Sequence, residues 1–241
     1  MHQLTGLLGP RDPAQPLLTL LDGPARVELS GATAANWVAK TANLLLAAGS
    51  PARVGLLLPL HWQLVTLLAG ATTAGATAVV ARGPQDLAGC DLVLVAPEHA
   101  AAALEVCDGD VLAVSVAPLG GRLRDLPAMV LDAGAELPSY GDVLQVPARD
   151  GRVELAGEEV GPGPGLGLTP ADRVLTRLSP ATAAGLATGL LAPLAAGAAL
   201  VLAPGDAPLD PAAVAAEGVT ASVGAQVAGA RRLDGTGPGG S

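Results

Sequence analysis

Phenylalanine is absent from the 241 residues, and the aromatic complement is one tyrosine and two tryptophans. Half of the residues are nonetheless hydrophobic, so a sizeable core can form, filled by Ala, Val and Leu. Short aliphatic side chains suit helices packed closely on sheets. Cationic charge is also scarce. Lys40 is the single lysine, acidic residues outnumber basic ones 22 to 13, and the formal net charge is −9. A chain without a basic surface is a poor nucleic-acid ligand, because phosphate contacts supply much of that affinity. The same shortage disfavours docking on anionic lipid. Cys90 and Cys107 lie 17 positions apart with no CxxC pair, a spacing that fits neither zinc nor redox chemistry. Two reduced thiols are expected. His2, His61 and His99 form no HExxH pattern, so metal catalysis has no support. Nucleophile-elbow motifs are missing as well.

The opening segment MHQLTGLLGPRDPAQP lacks a basic stretch followed by an apolar run, so it does not read as a signal peptide. A cytoplasmic location is expected. Two uncharged runs, 54–81 and 178–205, are long enough to span a bilayer. Each is broken by Gly and Pro and has β-like ends around an Ala/Leu-rich middle. A buried strand–helix–strand reads the same way, and membrane insertion is not expected.

Residues 17–29, LLTLLDGPARVEL, predict a hairpin around Asp22-Gly23. Ser30 then predicts a helix N-cap, and GATAANWVAKTANLLLAAG a helix with Val38, Ala42 and Leu45 on one stripe. Lys40 falls off that stripe and is expected on a solvated face. Next come RVGLLLP (strand), HWQLVTLLAGATTAG (helix), ATAVVA and DLVLVA (strands), a helix opened by Pro97, and DVLAVSVA (strand). Residues 118–151 and 157–170 are rich in Pro and Gly and predict irregular connections. After them follow DRVLTRLS, PATAAGLATGLLAPLAAG, AALVLA, a short helix from Pro211, and VTASVG. Apolar strands alternating with helices predict an α/β fold with largely parallel sheets covered by helices.

The chain also echoes itself. RVELSG at 26–31 matches RVELAG at 152–157. Arg53 pairs with Arg173 at an offset of 120, and Gly75 with Gly197 at 122. Offsets this close across a strand–helix–strand predict two similar βαβ-containing halves, placed at 15–150 and 151–228, with a disordered tail at 229–241.

Several pieces, in order and spacing, resemble the N-terminal part of the adenylate-forming family of acyl-CoA synthetases, luciferases and peptide-synthetase adenylation domains. They are VELSGATAANWVAKTANLLLAAG, RVGLLLPLHWQLVTLLAGATTAGATAVV, PADRVLTRLSPATAAGLATGLLAPLAAGAALVLAP and LDPAAVAAEGVTASVG. The NWVAKTANLL helix is also similar to one in a compact actinobacterial group. The resemblance implies activation of a carboxylate with ATP and magnesium. That chemistry uses a Ser/Thr/Gly-rich loop ending in Lys, a Glu for the metal, an Asp for the ribose and a lysine on a C-terminal lid. Where the phosphate loop is due, the sequence reads VELAGEEVGPGPGLGLTP. It has no Ser/Thr cluster and no lysine, and Glu158 and Glu159 repel phosphate. Lys40 matches no catalytic lysine of the family.

No catalytic residue and no cofactor is therefore expected. The reading is a non-catalytic relative that binds a small apolar or acyl-type ligand, a protein partner or a second copy of itself. Two alternatives stay open: an acyl-adenylating subunit completed by another chain, which alone would need ATP and magnesium, and a structural or regulatory subunit. A ligand site is expected between the halves, beyond the carboxyl ends of the strands, with His61, Trp62, Ser179 and Thr182 nearest. For His61 and Trp62 the competing reading is a helix start packed on the core. For Ser179 and Thr182 it is capping of the helix that follows.

Overall fold

The computed structural model describes residues 12–163 and 166–233. Strands β1 (Pro16–Asp22) and β2 (Ala25–Ser30) form the antiparallel hairpin expected around Asp22-Gly23. Ser30 caps α1 (Gly31–Ala47), its side chain accepting from the Thr33 amide at 3.2 Å. The unit β3 (Arg53–Leu57), α2 (Trp62–Thr73) and β4 (Thr77–Val80) follows, then β5 (Leu92–Val95), α3 (Ala100–Val106) and β6 (Asp110–Ala113). The segment expected to be irregular holds a short strand, β7 (Val130–Asp132), and a single helical turn, α4 (Ala133–Glu136). A second hairpin joins β8 (Arg152–Leu155) to β9 (Glu158–Glu159). The other unit is β10 (Arg173–Thr176), a π-helical segment Gly185–Leu191 continued by α5 (Ala192–Ala195), and β11 (Ala199–Leu202). Last come α6 (Pro211–Ala216), β12 (Ala221–Val223) and β13 (Arg231–Arg232). The tail expected to be disordered, 229–241, contains β13, and its residues from 234 onward lie outside the described ones.

One sheet runs β7-β6-β5-β3-β4-β8-β9 and the other β13-β12-β10-β11-β1-β2. Among the described residues only the two hairpins pair antiparallel. From β6 and β13 onward the orders correspond element for element: three strands, a βαβ neighbour, then a hairpin at the edge. The internal echo is therefore real at the level of topology. Gly75 and Gly197 do the same work in it. Both lie at positive φ (+90° and +76°) just past a helix, and the amide of the next residue returns to the carbonyl five back, Ala76 to Ala71 and Ala198 to Pro193. That is a Schellman ending, which favours glycine because the left-handed conformation crowds a Cβ.

Two expectations need correction. The sheets do not divide the chain at residue 150. Hairpin β1–β2 sits in the sheet of the second half, with β1 parallel to β11, and hairpin β8–β9 sits in the sheet of the first, with β8 parallel to β4. The RVEL echo is also out of register: it is the outer strand of one hairpin, β2, and the inner strand of the other, β8. Both segments belong to a hairpin at the end of a sheet, but at non-equivalent positions in it.

The layers follow from strand alternation. One face of each sheet, with Val54, Leu56, Leu92 and Leu94 on one side and Leu18, Leu20, Val174 and Leu200 on the other, closes on a shared core that also takes up residues of α1, α2 and α5. The outer faces form smaller clusters, with Ala100 and Ala103 of α3 on one sheet and Val214 of α6 on the other. Helix α2 touches strands of both sheets, and all of its residues are buried. Such a position demands a helix without charge on any face, and the polar residues it does carry, Gln63, Thr66, Thr72 and Thr73, are buried too. This accounts for the long uncharged run 54–81. No helix among the described residues is long and apolar enough to cross a membrane.

Lys40 does not point to solvent. Its Nζ donates to the Tyr140 carbonyl at 2.6 Å and pairs with Asp142 at 2.9 Å, while Asn43 donates to the carbonyls of Gly141 and Val143 and accepts from the Gln145 amide. The polar edge of α1 thus holds the 138–145 segment, whose backbone would otherwise lack partners.

Candidate functional site

In parallel sheets the carboxyl ends of the strands share one side, where the connecting loops diverge. Here the ends of β3, β10, β11 and β12 meet around a cleft of about 760 Å³. Leu58, Pro59 and Leu60 line it from one sheet. Leu178, Leu209 and the loop ends around Gly205 and Gln226 line it from the other. The wall is part apolar and part polar, with Arg177 and Asp206 as its charged members. Arg177 is engaged: its Nε donates to the Gly205 carbonyl at 3.1 Å and its Nη2 donates to the carbonyls of Gly205 and Ala207, the latter at 2.8 Å.

The four residues expected near a ligand are distributed unevenly. Ser179 lines the cleft; its Oγ accepts from the Ala181 amide at 3.3 Å. Thr182 stands behind it, outside the lining, with Oγ1 accepting from the Gly185 amide at 3.0 Å at the start of the π-helical segment. His61 is the N-cap of α2. Its Nδ1 accepts from the Gln63 amide at 3.2 Å, and Nε2 is buried with no aligned hydrogen bond. With Nδ1 accepting, the neutral ring carries its proton on Nε2. Burial pushes this imidazole down to about 4, outweighing opposing pulls from the Ala117 backbone and Asp22. Trp62 is buried. Its Nε1 donates to the Pro118 carbonyl at 2.8 Å and its ring meets that of Trp37 at a centroid distance of 5.4 Å. His61 and Trp62 therefore stand beneath the 117–121 loop, adjacent in sequence to the cleft wall at Leu60 but not part of it.

Sequence reasoning did not single out Arg177, Gly205 or Leu209. The signal available was the Arg at the end of β10, one residue before Leu178. Its partners are main-chain carbonyls, which leave no trace in side-chain composition.

Glu158 and Glu159, read as repelling phosphate, lie exposed on the edge strand β9 and do not line the cleft. The described part of the glycine-rich loop is occupied otherwise: Val160, Leu166 and Leu168 pack on the core, and the Gly163 amide donates to the Ala187 carbonyl. A triphosphate in the cleft would meet one guanidinium and no lysine among the described lining residues. This lining does not fit ATP and magnesium. Among the described residues no three His, Cys, Asp or Glu side chains gather as metal ligands. Cys90 and Cys107 are buried free thiols; burial pushes Cys90 up to about 11, which keeps it protonated and unreactive.

Two largely parallel sheets with interchanged hairpins and a cleft at their strand ends define a class. The fold is that of the N-terminal part of adenylate-forming enzymes. An acyl-CoA synthetase of Brucella canis matches with a TM-score of 0.74 at 21% identity, covering 92% of this chain and 47% of its own. A benzoate CoA ligase of Burkholderia xenovorans LB400 matches at 0.67 and 18%, covering 93% and 50%. The anthranilate CoA ligase AuaEII, solved with anthranoyl-AMP, matches at 0.68 and 17%, covering 92% and 49%. The chain spans about half the length of these structures. No family model matches it. In sequence it is 40% identical over 203 residues to the TIGR03089 family protein of Mycobacterium tuberculosis (strain ATCC 25618 / H37Rv), across 79% of this chain and 83% of that protein. The chain belongs to the TIGR03089 family.

Proposed function

We propose that this chain is a cytoplasmic binding module that takes a small acyl-type ligand in the cleft between the sheets and does not adenylate carboxylates by itself. The observation that carries the reading is the cleft lining. It pairs leucines from both sheets with Ser179 and Gln226, and its single cation is held by loop carbonyls. Pockets of this size and mixed lining suit drug-sized ligands. Activation of a carboxylate needs preorganised charges at the developing phosphate, and losing one such contact already costs roughly 10²–10³ in rate.

The test has two arms. Calorimetric titration of the isolated chain with acyl-CoAs, fatty acids and adenosine nucleotides should give binding for an acyl ligand. Gln226→Trp, an exposed position on the cleft wall, should weaken it about tenfold or more by filling space. ATP–pyrophosphate exchange with a panel of carboxylic acids should stay at background. Exchange by the isolated chain would overturn the reading. Exchange that appears only when a second protein is added would favour a subunit completed in trans, and silence toward the whole ligand panel would leave partner binding.

A further inference from the structure

The loop at 204–209, PGDAPL, joins β11 to α6 and is the wall between two hollows. Pro204, Gly205, Asp206 and Leu209 face the cleft. Pro204, Ala207, Pro208 and Leu209 also line a second hollow of about 170 Å³ beside Arg26 and Glu217. Among the described residues no backbone–backbone hydrogen bond involves this loop. What holds it is Arg177, donating to the carbonyls of Gly205 and Ala207. Gly205 sits at φ +75°, a conformation that glycine adopts without the crowding of a Cβ.

We propose that Arg177 is an anion-sensitive latch: an oxyanion entering the cleft takes the guanidinium from the loop carbonyls, and the released loop joins the two hollows. The inference rests on the cleft being a ligand site. The chemistry is an exchange of acceptors. A carboxylate or phosphate oxygen carries charge and meets guanidinium in a bidentate fork, whereas the carbonyls are neutral dipoles. The anion therefore competes well for Arg177. Besides Arg177, the loop is anchored by Leu209, which packs on the outer cluster that holds Val214.

The experiment is limited proteolysis with an enzyme that cuts before aspartate. The Gly205–Asp206 cut is followed by mass, relative to the cut before Asp142 in the same sample. Without added anion, Arg177→Ala should raise that ratio about tenfold over wild type. Arg177→Lys should fall between, because an ammonium keeps the charge but lacks the planar fork. Sodium acetate or inorganic phosphate should raise the ratio in wild type, against sodium chloride at matched ionic strength, and leave Arg177→Ala unchanged. Which of the two acts at lower concentration identifies the oxyanion. An Arg177→Ala ratio equal to wild type, or acceleration matched by chloride, overturns the latch. If Arg177→Ala is cut everywhere, it has unfolded, and the wild-type titration decides alone. The anion-free comparison tests the latch even where no acyl ligand binds.

Discussion

At the scale of single residues, polar groups in this chain are used to fasten backbone. Lys40, Asn43 and Arg177 all donate to main-chain carbonyls of segments without regular structure. Glu217 binds side chains instead. Its side chain is 2% exposed and sits between Arg26 and Arg173; burial opposes its ionisation, yet the two arginines outweigh it and hold the carboxyl below its usual range. Residue chemistry of this kind was only partly legible. The sequence marked Lys40 as unusual and Ser179 as near the strand ends, but a side chain aimed at a carbonyl has no motif. His61 allows a quantitative test. Its folded pKa of about 4 lies below the ordinary value of 6.5. Above pH 6.5 both folded and unfolded states hold it neutral and the stability is fully present. As pH falls from 6.5 toward 4, only the unfolded chain takes up the proton, so stability declines toward acid. The decline should reach about 2–3 kcal/mol by pH 4.5. His61→Asn keeps an N-cap acceptor and removes the titration. Urea denaturation at pH 7 and pH 4.5 should show a smaller acid loss in the variant, and an equal loss in both proteins would exclude His61 as its source.

At the scale of elements, periodicity and turn chemistry predicted most of what forms: the Asp22-Gly23 hairpin, the Ser30 cap and the βαβ units. The misses have physical causes. Strand β7, the turn α4 and the hairpin β8–β9 are two to four residues long, too short for a period to register. The π-helical segment before Pro193 had no signal, since its composition is that of an ordinary Ala/Leu helix. Helix contact also reverses a propensity rule. Glycine inside a helix costs about 1 kcal/mol relative to alanine, so Gly70→Ala in α2 would stabilise an isolated helix. Here a Cβ at Gly70 would stand 2.4 Å from the Thr41 Cβ and 3.1 Å from the Val38 carbonyl oxygen. Neither atom is the end of a flexible chain. Gly70→Ala should therefore lower stability by about 1–3 kcal/mol through overpacking of α1 against α2. Thermal denaturation checks the sign, and Thr41→Gly in the same chain should recover part of the loss. A rise in melting temperature for the single variant would show that the two helices can separate freely.

At the scale of the molecule, the exchange of hairpins decides how the chain can fold. A boundary at residue 150 looks natural in the sequence, because each side holds βαβ structure. The sheets ignore it. Cutting there would strand β1–β2 on a fragment without β11, its parallel partner, and β8–β9 on a fragment without β4. Each fragment would also open the shared core, where Leu18 and Leu20 from the first part meet Leu200 and Leu202 from the second, and Val153 and Leu155 from the second meet Ala78 and Val80 from the first. These are fully paired, buried strands, so separation leaves both unpaired backbone and uncovered apolar surface. The loss is heaviest for residues 151–241, whose remaining strands keep little more than the π-helical segment, α5 and α6 to cover two faces. That fragment should bind a hydrophobic dye and show no cooperative melt. Residues 1–150 should keep, loosened, the five strands β7-β6-β5-β3-β4 of the seven-strand sheet, without its β8–β9 edge. Mixed, the two should reassemble into a complex with the near-ultraviolet dichroism of the intact chain, since Trp37 and Trp62 regain their packed surroundings. Circular dichroism and size exclusion of the fragments, alone and combined, measure this directly. A cooperative transition for residues 151–241 alone, at the midpoint of the intact protein, would mean that the second half is a domain in its own right and that the hairpin exchange contributes nothing to its stability.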